Sequence, residues 1–139
     1  MSAIINKISI KIILNEDMRP GIGGADWYLE NDVLQVRVVR LSTQKRTMEL
    51  AVHETTEALV ALEQGITVKQ VDDYDMAFEK KHPENHGLNA GDQSDCPYKR
   101  AHCAATAIER ILAFAWDENW QEYDDELSKI GCESGESNV

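Results

Sequence analysis

An α+β fold is the architecture this sequence predicts, on three observations. Two N-terminal stretches place an apolar residue at every second position, later stretches carry helical spacing with capping signals, and strands precede helices along the chain. The expectation is a small antiparallel sheet of N-terminal strands packed on three to four helices. At 139 residues the chain can bury one real core. A single domain over residues 1–130 is therefore expected, with 131–139 as a disordered tail.

In "KISIKIIL", residues 7–14, Ile8, Ile10 and Ile12 alternate with Lys7, Ser9 and Lys11, the period of a strand with one face buried. "NEDMRPGIGGAD" breaks the pattern with Pro20 and three glycines, without a phosphate-loop signature, and reads as a loop. "WYLENDVLQVRVVRL" then reads as two strands around a turn at Glu30 to Asp32, with Leu34, Val36 and Val38 facing one way and Gln35 and Arg37 the other.

Ser42 or Thr43 can cap a first helix from about Gln44 to Gln64, which Gly65 stops. Thr67 can cap a second, ending in lysines before Pro83. Residues 83–97 have loop composition. A third helix is expected from about Tyr98 to Ala115, with Ile108, Ile111 and Leu112 toward the core, and a shorter fourth from Asp117 to Lys129. Trp116 and Trp120, four apart, read as core or edge packing.

The formal net charge is −11, which repels phosphate backbones and anionic membranes, so no nucleic-acid partner is expected. Much of the acid sits between Asp117 and Glu136 and can serve solubility alone. Three cysteines, Cys96, Cys103 and Cys132, lack a C-x-x-C pattern, so a disulfide framework is not indicated and a reducing cytoplasm is the expected location. The N-terminal apolar run is interrupted by Asn6, Lys7, Ser9 and Lys11, long before the roughly 18 residues of a membrane span, and it lacks a signal-peptide pattern.

The chemistry concentrates in "AVHETTEALVAL", residues 51–62. On a helix advancing about 100° per residue, His53 and Glu57 share one strip with Leu50, Val60 and Gln64, and Glu54 stands to one side. Ala51, Val52, Ala58, Leu59 and Leu62 leave only a narrow polar edge at Glu49, Thr56 and Glu63, so the helix should be mostly buried. An imidazole and a carboxylate buried there need a compensating partner, and a divalent metal is one. In H-E-x-x-H metalloproteases the two histidines bind zinc and the intervening glutamate is the general base. Here the second ligand position holds Glu57, a legitimate zinc ligand, which gives H-E-x-x-E. His53 and Glu57 are thus the candidate metal ligands, and Glu54 is the candidate catalytic base.

A third ligand must come from elsewhere, and His102, early in the third helix with Thr106 and Glu109 on its strip, is the leading candidate over His82 and His86. The second helix offers Asp72, Asp73, Asp75 and Glu79. Asp75 is assigned to orient a ligating imidazole through its second nitrogen, as is Asp92, which can alternatively cap the loop or the third helix. If two of the second-helix acids bound metal directly, magnesium or manganese would suit better than zinc. The competing plain interpretation is a surface ion pair at His53 and Glu57 worth a few tenths of a kcal/mol.

After a strand pair, "VHETTEALV", "GITVKQVDDYDMAFE" and "GDQSDCPYKRAHCAATAIERILA" together resemble a family of small phage and prophage proteins with no assigned activity and a zincin-like H-E-x-x-E-A helix. The resemblance covers roughly residues 33 to 115. Its helix matches at His53, Glu54, Glu57 and Ala58, and its second segment at Asp75, Ala77, Phe78 and Glu79, with Tyr74 in place of the first aromatic. Its turn matches at Gly91, Asp92, Pro97 and Tyr98, and its last helix at His102 and at Ile108 to Arg110. The resemblance implies a zincin-like site that favours His102 over the other histidines, and a host-cell cytoplasmic location. It implies no particular reaction.

Three functions follow as expectations. The first is a zinc-dependent, zincin-like hydrolase of peptide or amide bonds, with His53, Glu57 and His102 on the metal and Glu54 as base. The second is an all-helical, magnesium-dependent nucleotide pyrophosphohydrolase using Glu54, Glu57, Asp75 and Glu79, disfavoured by His53 in the cluster and by few basic residues near the acids. The third is a non-enzymatic phage protein that binds a host factor.

Overall fold

The computed structural model describes residues 4–19, 23–82 and 88–136, and among these it is an α+β fold of one three-stranded sheet and four α-helices. The strands are β1 (Lys7–Ile13), β2 (Ala25–Glu30) and β3 (Val33–Val39). The helices are α1 (Gln44–Glu63), α2 (Val68–Lys81), α3 (Lys99–Ala115) and α4 (Trp120–Glu136).

The β2–β3 hairpin forms where the alternation changes to "END". Asn31 and Asp32 take φ of 52° and 63°, the paired left-handed geometry whose twist matches a two-residue hairpin. Leu34, Val36 and Val38 are fully buried while Gln35 and Arg37 between them are not, as the alternation predicts.

The sheet is mixed rather than antiparallel. Its order is β1-β3-β2, with β2 antiparallel to β3 and β1 parallel to it. The most apolar strand, β3, takes the centre, and the segment between β1 and β2 is too long to be a tight hairpin, so β1 lies on the far side of β3. This placement alters the isoleucines. Ile8, Ile10 and Ile12 stand in register with Leu34, Val36 and Val38, but α1 packs on β2 and β3. Ile8 and Ile10 therefore stay about half exposed, 43% and 48%.

Thr43 caps α1 by accepting from the Arg46 N–H, and Gly65, at φ 81°, ends it. Thr67 and Gln70 form a reciprocal capping box on α2. α3 lies along α1, and their contact surface is lined by small residues, with Ala58, Ala61, Ala101 and Ala105 all fully buried. α4 begins three residues later than the composition predicts and continues to Glu136, through most of the segment expected to be a tail. It is tied to the start of α1 by Arg46, which pairs with Glu122 and Glu126 as well as with Glu118 just before the helix, and by Ser42, which donates to Glu126. Acid that looked purely solubilising is in part structural.

Two sequence expectations about helix faces are corrected. Ile108 and Ile111 do not face the core and are 41% and 63% exposed, because the buried face of α3 is made by His102, Ala105, Glu109 and Ala113. Glu49 is not on a polar edge of α1. It is fully buried, whereas Leu59 is exposed. No described helix is long and apolar enough to cross a membrane.

Candidate metal centre

One turn of α1 separates His53 from Glu57, and α3 crosses that strip so that His102 faces both. His53 Nε2 lies 3.3 Å from Glu57 Oε2, and His102 Nδ1 lies 3.1 Å from the same oxygen. The two rings meet edge to face with centroids 5.0 Å apart. All three residues are buried, and their ligand atoms lie within 4.8 Å of one another. This group could bind a metal ion.

The other nitrogen of each ring is also accounted for. His53 Nδ1 lies 3.0 Å from Glu109 Oε1, and the Tyr123 hydroxyl donates to the second oxygen of Glu109. His102 Nε2 lies 3.2 Å from Asp92 Oδ1. A neutral imidazole keeps its proton on the nitrogen that faces an acceptor, so each carboxylate directs one lone pair toward the shared centre, at Nε2 of His53 and Nδ1 of His102. The His102 ring is held in place by the backbone as well. A Cβ on Gly91 would lie 2.4 Å from His102 Cγ, so only glycine allows this approach.

The electrostatics show a surplus of negative charge. Burial alone would lower the His53 pKa, but the hydrogen bonds from Glu109 and Glu57 outweigh it and push it up to about 10. Burial would raise Glu57, yet hydrogen bonds from His102 and His53 hold it below the usual carboxylate range. Glu54 is pushed well above that range by burial and then by the charge of Glu57. It lines a small pocket with Glu57, Trp27 and Asp75.

Asp75 accepts from the Tyr98 hydroxyl and lines the Glu54 pocket, while the carboxylates found on the imidazoles are Glu109 and Asp92. Burial, partly offset by that Tyr98 bond, pushes Asp75 up to about 7. Glu79 is half-buried and is not among the residues lining this pocket. His82 Nδ1 is 2.9 Å from the Phe78 carbonyl, away from the cluster, and His86 lies outside the described residues.

Two members of the site escaped the sequence reading. Glu109 carried a signal, since it lies seven residues after His102 on the same strip. Tyr123 carried none, because nothing along the chain indicates which face of α4 meets α3. Glu49, one turn before His53, has no hydrogen-bond partner on either carboxylate oxygen among the described residues. Burial, and then the charges of Glu118 and Glu109, push it up to about 7.

The chain matches no known family model, no curated protein and no solved structure.

Proposed function

We propose that this chain is a small zincin-like metallohydrolase of the phage and prophage kind it resembles, cutting a peptide or amide bond. One observation carries the proposal: His53, Glu57 and His102 converge in a buried site where the second nitrogen of each imidazole is already committed to a carboxylate. Two imidazoles and one carboxylate suit zinc better than magnesium or manganese, which favour all-oxygen sets. Zinc bound there would supply Lewis acidity toward a carbonyl and a water.

The chain's own groups supply the rest. Glu54, next to His53 and in the same pocket as Glu57, is positioned to take a proton from the attacking water and return it to the leaving amine. β2 is an edge strand, and its residues Ala25 and Trp27 line the same pocket, so an extended peptide paired along that edge would pass Glu54. Free thiols at Cys96 and Cys103 agree with work in a reducing cytoplasm. The magnesium alternative was expected of an all-helical chain, and the three-stranded sheet counts against it in favour of the zinc reading.

Metal analysis of untagged protein tests the proposal. About one zinc per chain is expected in the wild type and none in His53→Ala. Glu54→Gln should keep the metal and lose at least about 100-fold of any peptide-bond hydrolysis. No stoichiometric metal in the wild type overturns the assignment.

A further inference from the structure

We propose that the outward face of α3, opposite His102 and Glu109, is a self-complementary seam through which two copies of this chain pair antiparallel. Arg100, Cys103, Ala107, Ile111 and Phe114 follow one another at helical spacing along it, and all are exposed. Phe114 is 90% exposed and Ile111 63%. A phenylalanine so placed leaves on the order of 150–200 Å² of apolar surface in water, against the roughly 300–600 Å² of the whole largest patch on a typical monomer.

The occupant is identified by the order of residues along the seam. After Arg100 the seam passes from small side chains, Cys103 and the central Ala107, to large ones, Ile111 and Phe114. A two-fold axis at Ala107 sets Ile111 of one copy against Cys103 of the other and Phe114 against Arg100. The two backbones then approach at Ala107, Ile111 packs on the partner copy's small residues, and Phe114 lies under the other copy's arginine.

Charge fits the same pairing. Although the chain carries a net −11, the exposed residues of α3 include no acid, since its one glutamate, Glu109, is buried. Arg110 is stacked on Trp120 at 4.3 Å and is already engaged. Among the described residues, Arg100 makes no ion pair, and Asp117, just past the end of α3, makes none either. Antiparallel pairing sets Arg100 against the ring of Phe114 and the carboxylate of Asp117 in the second copy, a cation–π contact and an ion pair at each end. The seam runs the length of one helix, about 25 Å.

Sedimentation velocity on the intact chain tests this. A dimer with micromolar dissociation constant is expected, and Phe114→Glu, at a position too exposed to hold up the fold, should weaken it by at least about 100-fold with an unchanged circular dichroism spectrum. In a Cys103→Ser background, Ala107→Cys should cross-link two copies under mild oxidation and Phe114→Cys should not, since only the former sits on the axis. A monomer at about 100 μM, a dimer that survives Phe114→Glu, or efficient cross-linking through Phe114→Cys overturns the pairing.

Discussion

Two buried charge clusters in this molecule follow opposite rules. Around Asp26, positive and negative charges balance. Asp26 is 4% exposed and accepts from Arg19 Nε and Arg37 Nε, both at 2.9 Å, while the Arg19 fork also reaches Asp72 with two contacts of 3.3 Å. Two guanidiniums face two carboxylates, and nothing further is needed. Around His53, carboxylates outnumber cations: Glu54, Glu57, Glu109 and Asp92 crowd two imidazoles. Burial and crowding raise the pKa of Glu54, and the neighbouring carboxylates raise that of His53, so both hold their protons more tightly than usual. A divalent cation at its centre would take over the role of those protons. The difference separates charge that ties a structure together from a group that could bind a metal ion.

The sharpest way to break the comparison is to remove one residue from each cluster and measure zinc by chelator competition. His53→Ala should lower affinity by at least about 1000-fold, more than loss of an outer carboxylate costs, while Asp26→Asn should leave it within about 3-fold. Equal effects would erase the distinction.

Stability should respond the other way. Asp26→Asn leaves two guanidiniums without their buried counter-charge and should cost about 3 kcal/mol in urea unfolding, the lower end for a broken buried pair because Arg19 and Arg37 are partly exposed. A loss below about 1 kcal/mol would mean that the balanced cluster is merely a surface pair.

Glu109→Gln probes how the metal cluster is held. Zinc affinity should fall about 10- to 100-fold, and in the metal-free chain the His53 pKa, now about 10, should fall with it. Since the folded value lies above the unfolded 6.5, His53 stabilises the metal-free chain fully below about pH 6.5 and loses that contribution as pH rises through 10. In the variant the loss should move to lower pH, and an unchanged imidazole titration by NMR would exclude Glu109 as its partner.

The smallest effect is expected at Glu49. Its folded pKa of about 7 lies above the ordinary 4.5, so its penalty is absent below pH 4.5 and grows as pH rises through 7. Glu49→Met should stabilise the metal-free chain by about 1 kcal/mol at pH 8 and not at pH 4. The same gain at both pH values would show that packing, rather than ionisation, sets the cost.

Much of this was legible along the chain where the signal is local. The Thr43 and Thr67 caps, the stop at Gly65 and the turn at Asn31 and Asp32 each depend on a few neighbouring residues, and each is found where its residues indicate. Glu49 and Ile111 were misplaced because helical spacing specifies which residues share a face but not which face meets a neighbour. Glu49 is buried near the charges of Glu118, just before α4, and of Glu109 on α3, and Ile111 is exposed where no described element covers α3. Parallel pairing of β1 was equally hidden, since alternation reads the same for either direction.

By itself the sequence determined the four helices, the three strands, the strip that places Glu57 one turn from His53, and the surplus of acid. Those features follow from the helical and strand periods and from composition, which are properties of short segments. Only the tertiary structure decided that Glu109, rather than Asp75, lies on the His53 imidazole, that Tyr123 reaches Glu109, and that the isoleucines of α3 face outward. These depend on how helices far apart in the chain cross, an outcome of competing apolar faces and alanine-lined close approach that no local spacing encodes.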